Sequence, residues 1–321
     1  MTWLVTGGAG YIGAHVVRAL LDAGLEAVVI DDLSSGHERF LPEGVPFVRA
    51  SILDADAVDR SIDDHGVTGV IHVAGFKYAG VSVQRPLHTY EQNVTGMITL
   101  LEAMQRHGVD RCVFSSSAAV YGTVDVDLVT EGTPKTPASP YGESKLIGEW
   151  LLADQEVAAG LRHTSLRYFN VVGSGDPAVF DTSPHNLFPL VFEALIDGRA
   201  PRINGTDYPT PDGTCVRDYI HVADLALAHV AAARRLDAGE PLERAYNLGS
   251  GDGVSVRQIM DAMAAETGIA FDPEIGPRRP GDPPRIVASG ELAARDLEWR
   301  MRHSLAEMVR SAWEARRASA L

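Results

Sequence analysis

Two side chains at helical spacing could carry proton-transfer chemistry in this sequence. Tyr141 and Lys145 stand four residues apart within the segment SPYGESK at 139–145, so in the first turn of a helix they project from one face. Holding a phenol ionised near neutrality requires its pKa to fall by about 3 pH units, worth about 4 kcal/mol. A neighbouring ammonium group favours that ionised form. The pair predicts a tyrosine base that takes a proton from a substrate hydroxyl while the attached carbon gives up a hydride.

The surroundings of the pair strengthen this interpretation, because the spacing alone is also typical of an ordinary amphipathic helix start with an exposed lysine. A predicted strand at 111–114 ends in Ser115, Ser116 and Ser117, upstream of the tyrosine helix. We expect the three hydroxyls to point into the crevice that holds Tyr141. A serine there could hydrogen-bond the reacting oxygen.

A glycine-rich turn near the start of the chain predicts a dinucleotide site. The apolar strand 2–6 runs directly into Gly7, Gly10 and Gly13, a spacing that lets the backbone approach a pyrophosphate at the N-terminus of the following helix. The next strand ends at Asp31, where a carboxylate accepts hydrogen bonds from an adenosine ribose. Because no arginine follows at once to pair with a 2′-phosphate, NAD is favoured over NADP.

Strands and helices then alternate, which predicts an α/β fold with a Rossmann-type doubly wound parallel sheet. Lys77 follows the fourth strand and is expected to face the cofactor. The alternation breaks after residue 169, where prolines punctuate the chain. We therefore predict an NAD-binding domain at 1–169, rejoined by about 216–250, and a smaller, mostly C-terminal α/β lobe from 170–215 and 251–321. Residues 217–222 are predicted as one strand, with Asp224 capping the next helix.

Composition and net charge limit the classes of ligand and partner that this protein is expected to bind. The formal net charge of −15 and a pI near 5.1 argue against nucleic acid or an anionic membrane as partner. Cys112 and Cys215 have neither disulfide nor metal-site spacing, so no metal is expected. The fold signal begins at Gly7 and no apolar run is long enough to span a bilayer, so we expect neither signal peptide nor anchor, and a cytoplasmic protein.

These motifs resemble those of the extended short-chain dehydrogenase/reductase family, and the match is close to its UDP-glucose 4-epimerases (UDP-galactose 4-epimerases). The resemblance runs nearly end to end. It rests on VTGGAGYIGAH at 5–15, SVQRP at 82–86, FSSSAAVYG at 114–122, SPYGESK at 139–145, RYFN at 167–170, DYPTPDGT at 207–214, VRDYIHV at 216–222, YNLGSG at 246–251 and RRPGD at 278–282. DYPTPDGT followed by VRDYIHV is the part most specific to the epimerases.

The resemblance implies an isomerase that inverts C4 of a UDP-hexose. Tyr141 would remove the 4′-hydroxyl proton, with Ser117 sharing the hydrogen bond and Lys145 lowering the pKa of the tyrosine. Bound NAD+ would take up the C4 hydride, the resulting 4-keto sugar would rotate, and the hydride would return to its opposite face. Implied NAD contacts are Gly7, Gly10, Tyr11, Ile12, Gly13, Asp31, Ser51, Ile52, Lys77, Asn93, Tyr141 and Lys145. Implied substrate contacts are Ser117, Tyr141, Asn170, Asn186, Leu187, Arg217, Tyr219, Arg279 and Asp282. A homodimer through the helix near Met97 to Met104 and the tyrosine helix is also implied.

The sequence departs from the family pattern at five positions. Ser51 stands where an aspartate often contacts the adenine, Val81 replaces a frequent glutamate and Ala119 a threonine. Asn204 occupies a usually aromatic position near the uracil. Ile286 replaces a large tyrosine linked with excluding N-acetylated sugars, which leaves acceptance of such sugars open.

Three alternatives remain beside the epimerase. A nucleotide-sugar 4,6-dehydratase needs an acid and a base directly after the active-site hydroxyl, where this chain has Ala118 and Ala119. An epimerase or decarboxylase of UDP-glucuronate would need further cations for the C6 carboxylate. A non-catalytic NAD(H)-binding protein would not require tyrosine, lysine and serine together.

Overall fold

Seven parallel strands form the central sheet of the computed structural model, which describes residues 1–279 and 282–319. Over all the described residues, inside and outside this sheet, the strands are β1 (Thr2–Thr6), β2 (Glu26–Asp31), β3 (Phe47–Arg49), β4 (Gly69–His72), β5 (Arg111–Ser115), β6 (Arg162–Tyr168), β7 (Asn170–Val172), β8 (Arg202–Asn204), β9 (Val216–Arg217), β10 (Tyr219–His221), β11 (Ala245–Leu248), β12 (Val254–Ser255), β13 (Glu274–Gly276) and β14 (Arg285–Ile286). The α-helices are α1 (Tyr11–Asp22), α2 (Ala55–Asp63), α3 (Ala79–Gln84), α4 (Pro86–Tyr90), α5 (Gly96–Arg106), α6 (Pro140–Ala159), α7 (Leu187–Ile196), α8 (Val222–Asp237), α9 (Val256–Thr267), α10 (Glu291–Asp296) and α11 (Leu305–Ala318).

The order of the central sheet places a crevice at its middle. The order is β11-β6-β5-β4-β1-β2-β3, and every pairing is parallel. The chain runs outward from β1 to β3 on one side and from β4 to β6 on the other. Ligands of such sheets bind at this switch point, beyond the carboxyl ends of the strands. The predicted Rossmann-type fold is confirmed.

The strands are apolar on both faces because helices cover both. Along β1, Trp3 and Val5 join a buried cluster with residues of α1 and α8, while Leu4 between them joins a second cluster with residues of α2 and α5. Successive side chains of a strand point to opposite faces. This is the packing expected for a doubly wound parallel sheet.

A smaller core lies beyond the sheet. It is built mainly by α7, α9 and α11, with Phe192, Met263 and Trp313 among its buried members. Two small sheets accompany it, one pairing β13 with β8 and the other ordered β12-β9-β14. Most of these elements come from the two segments that the sequence assigns to a second lobe.

Two local predictions were wrong. Residues 217–222 do not form one strand, because Asp218 separates β9 from β10 and its buried carboxylate accepts the backbone N–H groups of Ser250 and Ala288. Asp224 does not cap α8. His221 holds that position, and the Asp224 carboxylate instead accepts the backbone N–H of Arg302.

Two short stretches of the predictions fall outside the described residues. They are Pro280 and Gly281 of the RRPGD motif, and residues 320 and 321 at the end of the predicted smaller lobe. Within 1–279 and 282–319, no helix combines the length and apolar character that crossing a bilayer requires.

Five histidines are buried among the described residues, and burial lowers the pKa of each. Burial lowers the pKa of His15, His221 and His229 to about 4 and that of His72 to about 3. His229 is fully buried in α8, where its Nδ1 donates to the Leu225 carbonyl and its Nε2 accepts the Ser115 hydroxyl at 2.7 Å.

We expect the free energy of unfolding to fall as pH drops from 6.5 towards 4. In that window the unfolded chain binds protons that the folded histidines refuse, at a cost of up to about 3 kcal/mol for each. Urea unfolding across this range should show a shallower fall for His229→Gln than for the unsubstituted protein. Equal slopes for the two proteins would contradict the assignment.

Candidate active site

A cavity of about 800 Å³ opens at the carboxyl edge of the central sheet and extends to the smaller core. The sequence-predicted residues that line it are Gly7, Gly10, Tyr11, Ile12, Gly13, Asp31, Ser51, Ile52, Lys77, Tyr141, Lys145, Asn170, Asn186, Leu187, Arg217, Tyr219, Arg279 and Asp282. Ser117 and Asn93 are not among the residues that line it.

The glycine turn between β1 and α1 has the close backbone approach that a pyrophosphate site needs. Gly7 has φ of 68°, in the left-handed region. A Cβ on Gly13 would lie 2.1 Å from the Gly7 carbonyl oxygen, so only glycine permits α1 to start this near β1. Gly10 at the N-cap offers no side chain, which leaves the first N–H groups of α1 directed at a ligand.

Asp31 at the end of β2 is fixed beside this turn. Its two carboxylate oxygens accept the backbone N–H groups of Ala9 at 3.0 Å and Leu33 at 2.8 Å. Burial raises the pKa of Asp31, and these two hydrogen bonds act in the opposite direction. Each oxygen retains acceptor capacity for a ribose hydroxyl. The turn and the carboxylate together fit an adenine dinucleotide.

Asn93 supports the cofactor side of the cavity from behind. It lies in a π-helical segment, Glu91–Thr95, that joins α4 to α5. Its amide accepts the Phe76 N–H at 2.6 Å and donates to the Ser144 hydroxyl at 2.8 Å. The loop that carries Lys77 is thereby tied to α6. The structure thus shows Asn93 in a supporting position rather than in the cavity wall.

Tyr141 and Lys145 lie on one face of α6, as predicted. Ser139 caps this helix by accepting the Gly142 N–H, and Pro140 occupies its first position. The Lys145 ammonium donates to the Ser115 carbonyl at 2.8 Å. It lies 6.0 Å from the centre of the Tyr141 ring.

The prediction that Lys145 holds Tyr141 ionised is not met by the protein alone. Burial raises the pKa of Tyr141, and the hydrogen bond from Ser117 opposes this only in part. Burial also lowers the pKa of Lys145 to about 8, with Glu149 acting in the opposite direction. The cavity desolvates both groups, and desolvation disfavours each charged form.

The three serines at the end of β5 and directly after it do not point the same way, contrary to the prediction. The Ser115 hydroxyl bonds to His229, and the Ser116 hydroxyl donates to Glu149 at 2.6 Å. Only the Ser117 hydroxyl is directed towards Tyr141. Side chains alternate in direction along an extended chain, so neighbouring serines separate.

The substrate-side cations are partly paired within the protein. Arg217 donates to the Asp282 carboxylate at 2.5 Å, and both line the cavity. Asn186 donates to Asp181 at 2.6 Å. Arg279 lies on the same wall and is exposed. A diphosphate would therefore compete with Asp282 for Arg217.

Sequence reasoning missed several cavity-lining side chains. Arg202 lies two positions before Asn204 on β8 and lines the same cavity; the strand period of two was a signal that could have found it. Tyr78 and His185 also line the cavity and meet edge to face, with ring centres 5.0 Å apart. Ile286 packs instead beside the buried cluster that contains Tyr121.

Comparison with known proteins agrees with this geometry. The family model described as NAD dependent epimerase/dehydratase family matches residues 3–249. The chain belongs to this family. It is 46% identical over 319 residues to the UDP-glucose 4-epimerase of Azospirillum brasilense, covering 97% of this chain and 91% of that protein.

Solved structures give the same result. The UDP-glucose 4-epimerase from Brucella ovis in complex with NAD is similar with a TM-score of 0.94 and 38% identity, covering 97% of each chain. The UDP-glucose 4-epimerase from Bifidobacterium longum in complex with NAD+ and UDP has a TM-score of 0.90 and 33% identity, covering 100% of this chain and 99% of that one. The resemblance seen in the sequence is confirmed.

We expect Gly13→Ala to abolish retention of NAD, because the added Cβ displaces the Gly7 carbonyl that shapes the turn. Gly80→Ala is the matched control, since a Cβ there meets no atom within 4 Å. Dinucleotide released by denaturing each purified protein measures the effect. Full NAD content in Gly13→Ala would rule out this role for the turn.

Proposed function

We propose that this protein is an NAD-dependent isomerase that inverts C4 of a UDP-hexose, interconverting UDP-glucose and UDP-galactose. The observation that carries the proposal is that one cavity is lined by Tyr141 and Lys145, by a dinucleotide turn at Gly7–Gly13 and by the cations Arg217 and Arg279. The turn suits a cofactor and the two cations suit a diphosphate.

Bound in this cavity, NAD would supply the hydride acceptor for C4 in its oxidised form and the hydride donor in its reduced form, and the positive charge of the oxidised nicotinamide would favour ionisation of Tyr141. The Tyr141 oxygen accepts the proton of the 4′-hydroxyl and later returns it. Ser117 donates a hydrogen bond to the reacting oxygen. Lys145, anchored on the Ser115 carbonyl, keeps a cation beside the phenol and would hold the nicotinamide ribose.

The smaller lobe, from 170–215 and 251–321, would hold the nucleotide. Arg217 and Arg279 suit the diphosphate as charge-assisted donors. Asp282 would exchange its ion pair with Arg217 for the uridine ribose. Asn170, Asn186, Leu187 and Tyr219 would contact the sugar and diphosphate.

Inversion at C4 further requires the 4-keto sugar to present its opposite face to the hydride donor. A cavity of about 800 Å³ is at the upper end of ordinary ligand sites. That volume supports a pocket with room for a sugar to turn about its link to the diphosphate.

A 4,6-dehydratase is the second candidate, and it differs in needing proton-transfer groups near C5 and C6. Ala118 and Ala119 follow Ser117 in a short 3₁₀ turn and offer no such group. This disfavours the elimination of water while leaving C4 oxidation intact.

Tyr141→Phe should reduce turnover by at least about 10²-fold while the fold and bound NAD are retained, because only the proton acceptor is lost. Incubation with UDP-galactose and, separately, with UDP-N-acetylgalactosamine, followed by NMR of the C4 epimers, measures this. Tyr90→Phe is the control, since its phenol bonds to Glu143 outside the cavity lining. Unchanged turnover in Tyr141→Phe would refute the proton-transfer role, and a 4-keto-6-deoxy product would favour the dehydratase.

The protein is further proposed to act in the cytoplasm as a homodimer. Met97 and Met104 of α5 are buried in the core, so the expected interface must use the outer side of that helix. There Ile98 is 40% exposed, and on α6 Trp150 and Val157 are 58% and 83% exposed. Apolar side chains exposed on two neighbouring helices suit a helix-pair interface between two copies.

Trp150→Glu should convert the dimer to a monomer, because a buried unpaired carboxylate would replace an aromatic contact. Sedimentation of the purified protein measures the mass. The same substitution at Val126, which is 46% exposed and belongs to neither helix, serves as the control. A Trp150→Glu protein that remains dimeric would exclude this face.

A further inference from the structure

A buried ion pair lies directly behind the reacting side chains. Glu149 follows Tyr141 and Lys145 on α6 at successive four-residue steps, and therefore lies on the same side of the helix. Its two oxygens accept Nε of Arg167 at 2.8 Å and Nη2 at 2.6 Å. The side chains are only 9% and 4% exposed. This is a bidentate pair largely removed from water.

The Glu149 carboxylate also joins this pair to the catalytic loop. Its Oε1 accepts the hydroxyl of Ser116, the residue before Ser117, at 2.6 Å. Arg167 in turn donates to the Tyr121 hydroxyl at 2.8 Å, at the end of the turn that follows Ser117. One carboxylate thus connects α6, the end of β5 and β6.

A contribution to the stability of the fold is not enough to explain a buried ion pair at this position. Removing two charges from water costs several kcal/mol for each ion, and well-packed apolar side chains of similar volume often stabilise a protein equally well. A carboxylate, unlike an apolar side chain, supplies a fixed set of hydrogen bonds and a negative charge. Both act one helical turn from Lys145.

We propose that Glu149 is a positioning residue of the reaction. Its hydrogen bond to Ser116 fixes the direction of the Ser117 hydroxyl, and its charge stabilises the ammonium form of Lys145. This inference rests on the proposed function, in which Lys145 has to remain a cation beside Tyr141.

The other titratable groups around Lys145 do not supply that charge. On α6 the phenol of Tyr141 has its pKa raised by burial. From β4, His72 is neutral because burial and Lys145 lower its pKa to about 3. From β6, burial raises the pKa of Tyr168. Glu149 is the group that opposes the fall of the Lys145 pKa caused by burial.

The chain allows a direct measurement, because its three lysines are Lys77, Lys135 and Lys145. Lysine labelled with ¹³C at Cε gives three NMR signals, and Lys77→Arg and Lys135→Arg identify that of Lys145. Titration of the NAD-loaded protein should show Glu149→Gln lowering the Lys145 pKa by about one pH unit or more. Lys77 serves as the internal reference, since Lys135 lies near the same ion pair.

Turnover gives the second readout. In Glu149→Gln, kcat should fall about tenfold on the alkaline side of pH 8, where the shift converts directly into loss of the ammonium form, with KM nearly unchanged, and the alkaline limb of the kcat profile should move to lower pH by the shift seen in the titration. Asp154→Asn removes the same charge from an exposed position of α6 and should change neither readout.

Glu149→Gln leaves Arg167 buried without its partner, which destabilises the fold. A second variant keeps the test valid if the single variant does not fold. Glu149→Gln combined with Arg167→Gln removes both charges and should still lower the Lys145 pKa, but by less than Glu149→Gln alone, because losing the Arg167 cation favours the ammonium form. An unchanged Lys145 titration in a folded variant overturns the inference. A lowered Lys145 pKa in a protein that does not interconvert UDP-hexoses supports the charge relation and refutes the proposed function instead.

Discussion

The site depends on a cation held in a place that disfavours cations. Lys145 is 6% exposed, and its ammonium donates to one backbone carbonyl while lying 4.8 Å from the centre of the Phe114 ring. That carbonyl is available because β5 ends at Ser115, where the ladder with β6 stops. The end of a central strand therefore fixes the position of the charge, and α6 brings Tyr141 to it. Burial weakens the charged form of both groups, so the phenol ionises only with further positive charge beside it.

On the substrate side of the cavity, too, the state of a charged group depends on whether a ligand is bound. Arg217 and Asp282 neutralise each other across the cavity in the protein alone. A diphosphate offers Arg217 more acceptor oxygens than one carboxylate does, and releasing Asp282 provides an acceptor for hydroxyl groups. In an acidic chain with a net charge of −15, anion binding has to come from such local arginines rather than from the overall field.

Much of the cofactor half could be predicted because its signals are local. The glycine spacing, the apolar stripe of α1 and the acid at the end of β2 each describe backbone geometry within a few residues. The four-residue step from Tyr141 to Lys145 fixes a shared helix face wherever the helix lies. Alternating strands and helices then determine a parallel sheet, and with it the edge at which these residues meet.

The sequence by itself thus determined the fold class, the dinucleotide turn and the shared helix face of the candidate pair Tyr141 and Lys145. Tertiary structure alone decided that Ser115 and Ser116 turn away to His229 and Glu149, that Asn93 lies behind the wall, and that Arg217 pairs with Asp282. It also decided the direction of the Tyr141 pKa, since burial is set by elements far apart in the chain. Local spacing specifies which way a side chain leaves its own backbone, whereas its partners and its exposure to water depend on which distant segments pack against it.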